Sequence, residues 1–186
     1  MSDSTPKIFS QTTRTVRAAL ETDTQHGAVV PPLHLTSTFA FSGYGEKREY
    51  DYSRSGNPTR DALGSALAEL EGGAGAVVTS SGMAAVSLVT QLLRPDQVAV
   101  VPHDCYGGTY RLFNALNARG SLQVQFVDYQ APGALQAALA GKPALVWIET
   151  PSNPLLRIVD IAEVAGRAKA AGALVVADNT FLSPVW

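Results

Sequence analysis

Leu174-Val175-Val176-Ala177-Asp178-Asn179 is a run of four apolar residues closed by a carboxylate and an amide. A strand with one face in water alternates apolar and polar residues. An unbroken apolar run instead suits a strand covered on both faces, as in parallel sheets whose crossover helices lie above and below. Working outward from it, similar runs stand at 145–148, 124–127, 98–101 and 76–79. Helical stretches separate them, at 83–93, 109–118, 133–140 and 161–171. This alternation predicts the α/β class, a mainly parallel sheet with helices on both faces.

Before the alternation the pattern changes. Residues 1–57 are rich in Thr, Ser, Pro and Gly, with a short helical candidate at 12–20 and an extended signal at Val29-Val-Pro-Pro-Leu33, and they read as an arm. Pro58 then opens an amphipathic helix over 59–71. Leu63, Ala66, Leu67 and Leu70 fall on one face of it, and Gly72-Gly73 ends it. The predicted organisation is therefore an arm over 1–57 and a sheet domain over 58–186.

Composition narrows the function classes. The 186 residues are 46% hydrophobic, enough for one sizeable core. Fourteen Lys and Arg against 16 Asp and Glu give a net charge of -2, and the basic residues are scattered. That leaves no electrostatic footprint for nucleic acid or an anionic membrane. No apolar run approaches the roughly 20 residues that span a bilayer, and no charged-then-apolar leader opens the chain, so it reads as a cytoplasmic protein. A single cysteine, Cys105, rules out an intrachain disulfide. His26, His34 and His103 are too dispersed for a metal motif, and no metal is expected.

In open parallel sheets ligands gather at the carboxyl ends of strands, beside helix N-termini, so the strand ends are where chemistry is expected. Ser80-Ser81-Gly82-Met83 opens a helix with unpaired amides and small residues. It is either a phosphate cradle or a tight turn that needs glycine. Asp178 follows apolar residues and needs a cationic or donor partner, such as a protonated pyridine nitrogen, unless it only forms an Asx turn. Asn153, between Pro151 and Pro154, can reach a phenolate oxygen or simply hold a turn. Tyr106, before Gly107-Gly108, can cover a planar ligand or pack as an ordinary tyrosine. In the arm, Tyr52 and Arg54 point the same way if the backbone is extended, and together suit a phosphate monoester; the alternative is a surface arginine.

Asp51-Tyr-Ser-Arg54-Ser-Gly-Asn57-Pro-Thr-Arg60, Ala68-Glu-Leu-Glu-Gly72, Ser81-Gly-Met83, Tyr106-Gly-Gly-Thr-Tyr-Arg111, Glu149-Thr-Pro-Ser-Asn-Pro154 and Asp178-Asn-Thr-Phe181 occur in that order along the chain. Together they resemble the Cys/Met-metabolism (transsulfuration) family of pyridoxal-phosphate enzymes. Within it they look most like the bacterial cystathionine γ-synthase branch, whose relatives are γ-lyases, β-lyases and sulfhydrylases. The resemblance implies a PLP-dependent transferase-like fold of the aspartate aminotransferase type (fold type I), with the cofactor pyridoxal 5'-phosphate.

It further implies that Gly82 and Met83 bind the phosphate and that Tyr52 and Arg54 reach it from a neighbouring protomer. Tyr106 would stack on the ring and take part in catalysis, Asn153 would meet the phenolic oxygen, and Asp178 would pair with the ring nitrogen, with Thr180 beside it. Arg54, Asn57, Tyr106 and Arg111 would face the amino-acid substrate. A homo-oligomer follows, a dimer at least and a tetramer by family habit. The implied reaction is γ-replacement, joining cysteine to an O-acylated homoserine to give cystathionine.

One departure qualifies this. Lys7, Lys47, Lys142 and Lys169 are the only lysines, and none follows Asp178, where the family places its Schiff-base lysine. The expectation is thus a sheet domain truncated before that lysine, without the family's C-terminal domain. A catalytically incomplete piece that only binds a partner is the reading from another class.

Overall fold

The computed structural model describes residues 9–185, with the backbone alone at Val185. The described chain separates into two compact units, 9–78 and 79–184, so contacts group the segment 58–78 with the arm.

The first unit carries α1 (Gln11–Arg17) and α2 (Pro58–Glu71). Ser10 caps α1 by accepting from the Thr13 amide. Asn57 caps α2 by accepting from the Thr59 and Arg60 amides, and Pro58 takes the first turn, where no amide is required. Gly72, with φ at 64°, closes α2 in the left-handed conformation that glycine tolerates. Between the helices the chain is irregular, tied by antiparallel bridges between Thr38 and Tyr52 and between Gly43 and Glu46.

The second unit runs α3 (Gly82–Thr90), β1 (Val98–Pro102), α4 (Gly107–Ala118), β2 (Gln123–Val127), α5 (Ala134–Ala140), β3 (Leu145–Glu149), α6 (Ile161–Ala170) and β4 (Leu174–Asp178). The strands form one parallel sheet in the order β2-β1-β3-β4. Period-two alternation along β1 and β3 divides the core between the two faces. Ala99, Val101, Leu145 and Trp147 pack with Val86, Phe113 and Leu116 from α3 and α4. Val100, Val146 and Ile148 pack with Leu135, Leu139, Val164 and Ala168 from α5 and α6. Burying each of these larger side chains contributes about 1.5–3 kcal/mol.

This arrangement places the site. From β1 the chain passes along α4 to β2 on one side, and β3 lies on the other side of β1. The helices on either side of that reversal cover opposite faces, so the carboxyl ends of β1 and β3 border a crevice, the topological switch point of an open α/β sheet.

Two expectations are corrected. Residues 76–79 are not a strand: they are irregular and have no ladder partner among the described residues, and an apolar segment without a partner cannot pair its backbone. β4 is not covered on both faces. It is an edge strand, and Leu174 is 53% exposed, whereas all five residues of β3 are buried.

Candidate active site

A cavity of about 560 Å³ opens at the strand ends. Its floor is apolar, formed by Val86, Val89, Trp147 and Val176, and its rim carries Gly82, Met83, Tyr106, Asn153, Asp178 and Thr180. Six positions expected at the site, scattered over about a hundred residues of sequence, thus converge on one wall-to-wall space.

At the α3 end, Ser81 accepts from the Ala84 amide with its hydroxyl, 3.1 Å away. The amides of Gly82 and Met83 precede the first intrahelical donor and stay unpaired within the helix. Gly82 has no positive φ, and a Cβ there would meet nothing within 4 Å. The turn therefore does not require glycine, which removes the tight-turn explanation. What the missing side chain leaves is open space over two donors at the positive end of a helix, a setting suited to an anion.

At the α4 end, the glycine pair has a steric role. A Cβ on Gly108 would lie 2.5 Å from Tyr106 Cε1 and 2.8 Å from Met83 Sδ. Only glycine lets the Tyr106 ring fold back there, against the methionine of the α3 turn. Tyr106 keeps 45% of its surface exposed. Arg111 does not line the cavity: it is exposed on α4, with Nη1 3.2 Å from where a Gly107 Cβ would stand.

Asp178 ends β4 with its two carboxylate oxygens in different situations. Oδ1 accepts from the Thr180 amide at 3.1 Å and from the Thr180 hydroxyl. The Asx turn foreseen as an alternative therefore forms, and it fixes the carboxylate while Oδ2 has no hydrogen-bond partner among the described residues.

Asn153 sits in a loop braced on both sides. The peptide bonds before Pro151 and Pro154 are cis. The Ser152 hydroxyl donates to Asp104 Oδ2 at 2.8 Å, and the Arg157 amide donates to the Ser152 hydroxyl oxygen at 3.2 Å. The Arg157 guanidinium lies 3.9 Å from Asp104 and 3.8 Å from Asp128.

Glu149 is the residue that the sequence reading passed over. It ends β3 at 5% exposure and lines the cavity. Both of its oxygens accept from the Tyr106 amide at 2.9 Å, and Oε1 also accepts from the Asn153 amide at 3.0 Å. Burial pushes its carboxyl above the ordinary 4.5, and Asp178 and Asp104 add to that, against the lowering effect of the two amides. The neighbouring Cys105 thiol is pushed up to about 12, by burial first and by Glu149 second, which keeps it protonated and unreactive at neutral pH.

Tyr52, Arg54 and Asn57 belong to the first unit. The backbone at 53–55 is a turn and not extended, yet the Arg54 guanidinium stacks 5.0 Å from the Tyr52 ring centroid. Cation–π attraction, not an extended backbone, holds the two groups together. Arg60 holds this turn by donating to the Ser53 carbonyl at 2.9 Å. Asn57, expected on the substrate side, is engaged by its own fold in this structure. Its Oδ1 caps α2, and its Nδ2 donates to the His34 carbonyl and the Ser53 hydroxyl, both at 3.0 Å, which commits the whole amide.

Among the described residues no lysine lines the cavity. Lys47 pairs with Asp51 at 3.2 Å in the first unit, and Lys142 and Lys169 stand in the segments that lead into the amino ends of β3 and β4, away from the carboxyl ends where the cavity opens. Lys7 lies outside the described residues. No group of three or more metal-ligating side chains occurs among the described residues, and no helix there is long and apolar enough to cross a membrane.

The chain is 59% identical over 175 residues to the cystathionine γ-synthase of Escherichia coli K12, covering 94% of this chain and 45% of that protein. It is 41% identical over 174 residues to a cystathionine β-lyase of Coxiella burnetii, covering 93% and 45%. The crystal structure of cystathionine γ-synthase from Xanthomonas oryzae pv. oryzae, in complex with aminoacrylate and cysteine, superposes with a TM-score of 0.93 at 57% identity, over 96% of this chain and 46% of that one. A γ-lyase from Micromonospora echinospora follows with a TM-score of 0.87 at 46% identity, over 95% and 47%. The chain thus spans about half the length of the relatives it matches. With the family profile matching residues 12–186, the chain belongs to the Cys/Met metabolism PLP-dependent enzymes.

Proposed function

We propose that this chain supplies the cofactor-holding half of a γ-replacement enzyme that joins cysteine to an O-acylated homoserine, giving cystathionine. The observation that carries the reading is the convergence of free helix-start amides, an exposed aromatic face, a fixed Asn and an unshared carboxylate oxygen around one apolar-floored cavity. Those groups fit pyridoxal 5'-phosphate in kind. The amides of Gly82 and Met83 would hold its phosphate, and the face of Tyr106 would cover its ring. Asn153 would donate to its phenolic oxygen, and Asp178 Oδ2 would accept from the ring nitrogen and keep the proton there. When bound, the cofactor supplies the electron sink for carbanions beside the substrate amino group.

The protein's share is placement and proton control. Thr180 presents the Asp178 carboxylate. The apolar floor excludes water and strengthens the charge contact above it. Tyr106, which lines the cavity and is about half exposed, would move a proton at its hydroxyl. The lysine that the family chemistry requires would come from the part of the relatives' length that this chain does not span. In this reading Tyr52 and Arg54 reach the phosphate of a neighbouring protomer, Arg111 stands on the substrate side, and the enzyme is a cytoplasmic homo-oligomer, at least dimeric and by family habit tetrameric.

The test is product analysis on the full-length holoenzyme given O-succinylhomoserine and cysteine. Cystathionine formed in step with cysteine consumption is the expected result. Release of a keto acid from cystathionine, with no synthesis, would replace this reading with that of a lyase, the activity named for several relatives at about 40% identity.

A further inference from the structure

We propose that Glu149 is a positioning residue whose one buried carboxylate yokes Tyr106 to Asn153 across the crevice between β1 and β3. The inference rests on the cofactor reading above and adds to it how the groups on two sides of the ring keep one spacing.

Tyr106 starts α4 after β1, and Asn153 lies in the loop after β3. The two are 47 positions apart, and no secondary-structure ladder joins them at these residues. Each is tied instead to the same side chain. The Tyr106 amide forks between Oε1 and Oε2, and the Asn153 amide shares Oε1, all within 3.0 Å. The fork fixes the carboxylate plane, and the shared oxygen fixes the second amide relative to that plane. Tyr106 is also the N-cap of α4, a helix of 12 residues that receives no side-chain cap from its own segment. Glu149 fills that role from another strand, placing an anion at the positive end of the helix.

The cost of this arrangement marks it as more than packing. A carboxylate at 5% exposure has no ion-pair partner among the described residues, and it stands across the β3–β4 register from Asp178 and near Asp104 and Cys105 on the β1–α4 connection. A neutral side chain of similar shape would fill the space without that repulsion, but a glutamine with its oxygen at the Oε1 place would turn its NH2 donor toward the Tyr106 amide where Oε2 now accepts, and the fork would be lost. Only a carboxylate accepts at every position that the two amides present.

The experiment uses the full-length holoenzyme labelled with ¹⁵N at tyrosine and asparagine, following the Tyr106 and Asn153 amides by NMR across pH. In the wild type both resonances should move with one shared midpoint above the ordinary glutamate range. Glu149→Gln should remove that movement from both, lower kcat by about tenfold with KM changed far less, and weaken the circular dichroism of the cofactor band. If Gln does not fold, Glu149→Asp retains the charge one methylene further back and should loosen both amides together. The wild-type titration needs no variant at all. Separate midpoints, or movement at Tyr106 alone, would overturn the yoke. Joint movement with an unchanged cofactor band and kcat would leave only a clamp between loops, and would count against the ring lying between Tyr106 and Asn153.

Discussion

β3 and β4 are neighbours in one sheet and nearly alike in sequence character, Leu145-Val-Trp-Ile-Glu149 against Leu174-Val-Val-Ala-Asp178, yet their surroundings differ. Every residue of β3 is buried, while no residue of β4 is. Both end in a carboxylate, in register with each other, and the carboxylates divide the same way. Glu149 is spent on backbone amides, and Asp178 keeps one oxygen open to the cavity. An apolar run followed by an acid therefore describes two different devices. One strand is a beam of the core with a structural tie at its tip, and the other is a lightly packed edge with a chemically available tip.

The contrast can be broken most forcefully at Asp178. Asp178→Ala in the full-length holoenzyme should reduce turnover by roughly 10²–10³-fold, the scale of losing one pre-organised electrostatic contact, with little change in thermal midpoint. Comparable loss of stability and of activity would mean that β4 is as structural as β3. The reciprocal change is Ile148→Ala, which empties a fully buried site and should cost about 2–5 kcal/mol in denaturant unfolding. Its partner experiment, Leu174→Ala at a half-exposed position, should cost less than about 1 kcal/mol. A cost equal to that of Ile148→Ala would sharpen the comparison, since it would mean that β4 gains a cover in the assembled enzyme.

The smallest effect concerns the tips. Because Glu149 has its pKa raised above 4.5 in the fold, the native state holds that proton more tightly than the unfolded chain does. The stability this contributes is present below pH 4.5 and is lost as pH rises through the folded pKa. Melts of wild type and Glu149→Gln at a series of pH values should show the wild type losing ground to the variant as pH rises through that window. The opposite slope would mean that the amide bonds outweigh burial.

Local rules made much of this legible in the residues. Asn57-Pro58 and Gly72 bracket α2 as caps should, and the strand ends bring Gly82, Met83, Tyr106, Asn153 and Asp178 to one cavity. What escaped was non-local. The apolar run at 174–177 records a tendency to be covered, but whether a cover is present depends on neighbours outside the run. Residues 76–79 have strand composition and lack a strand to pair with. Glu149 was invisible as a working residue because its partners are backbone amides, which carry no residue signature, and one of them lies 43 positions away. Asn57 shows the converse: a polar motif position bonds to its own fold through both Oδ1 and Nδ2, a use that the motif does not announce.

Gly108 has a wider implication. Because the Tyr106 ring and the Met83 thioether occupy the volume that a larger residue at 108 would need, a side chain there obliges them to move. A descendant gaining a side chain at 108 would displace the ring from its present place, so the two positions are expected to change together.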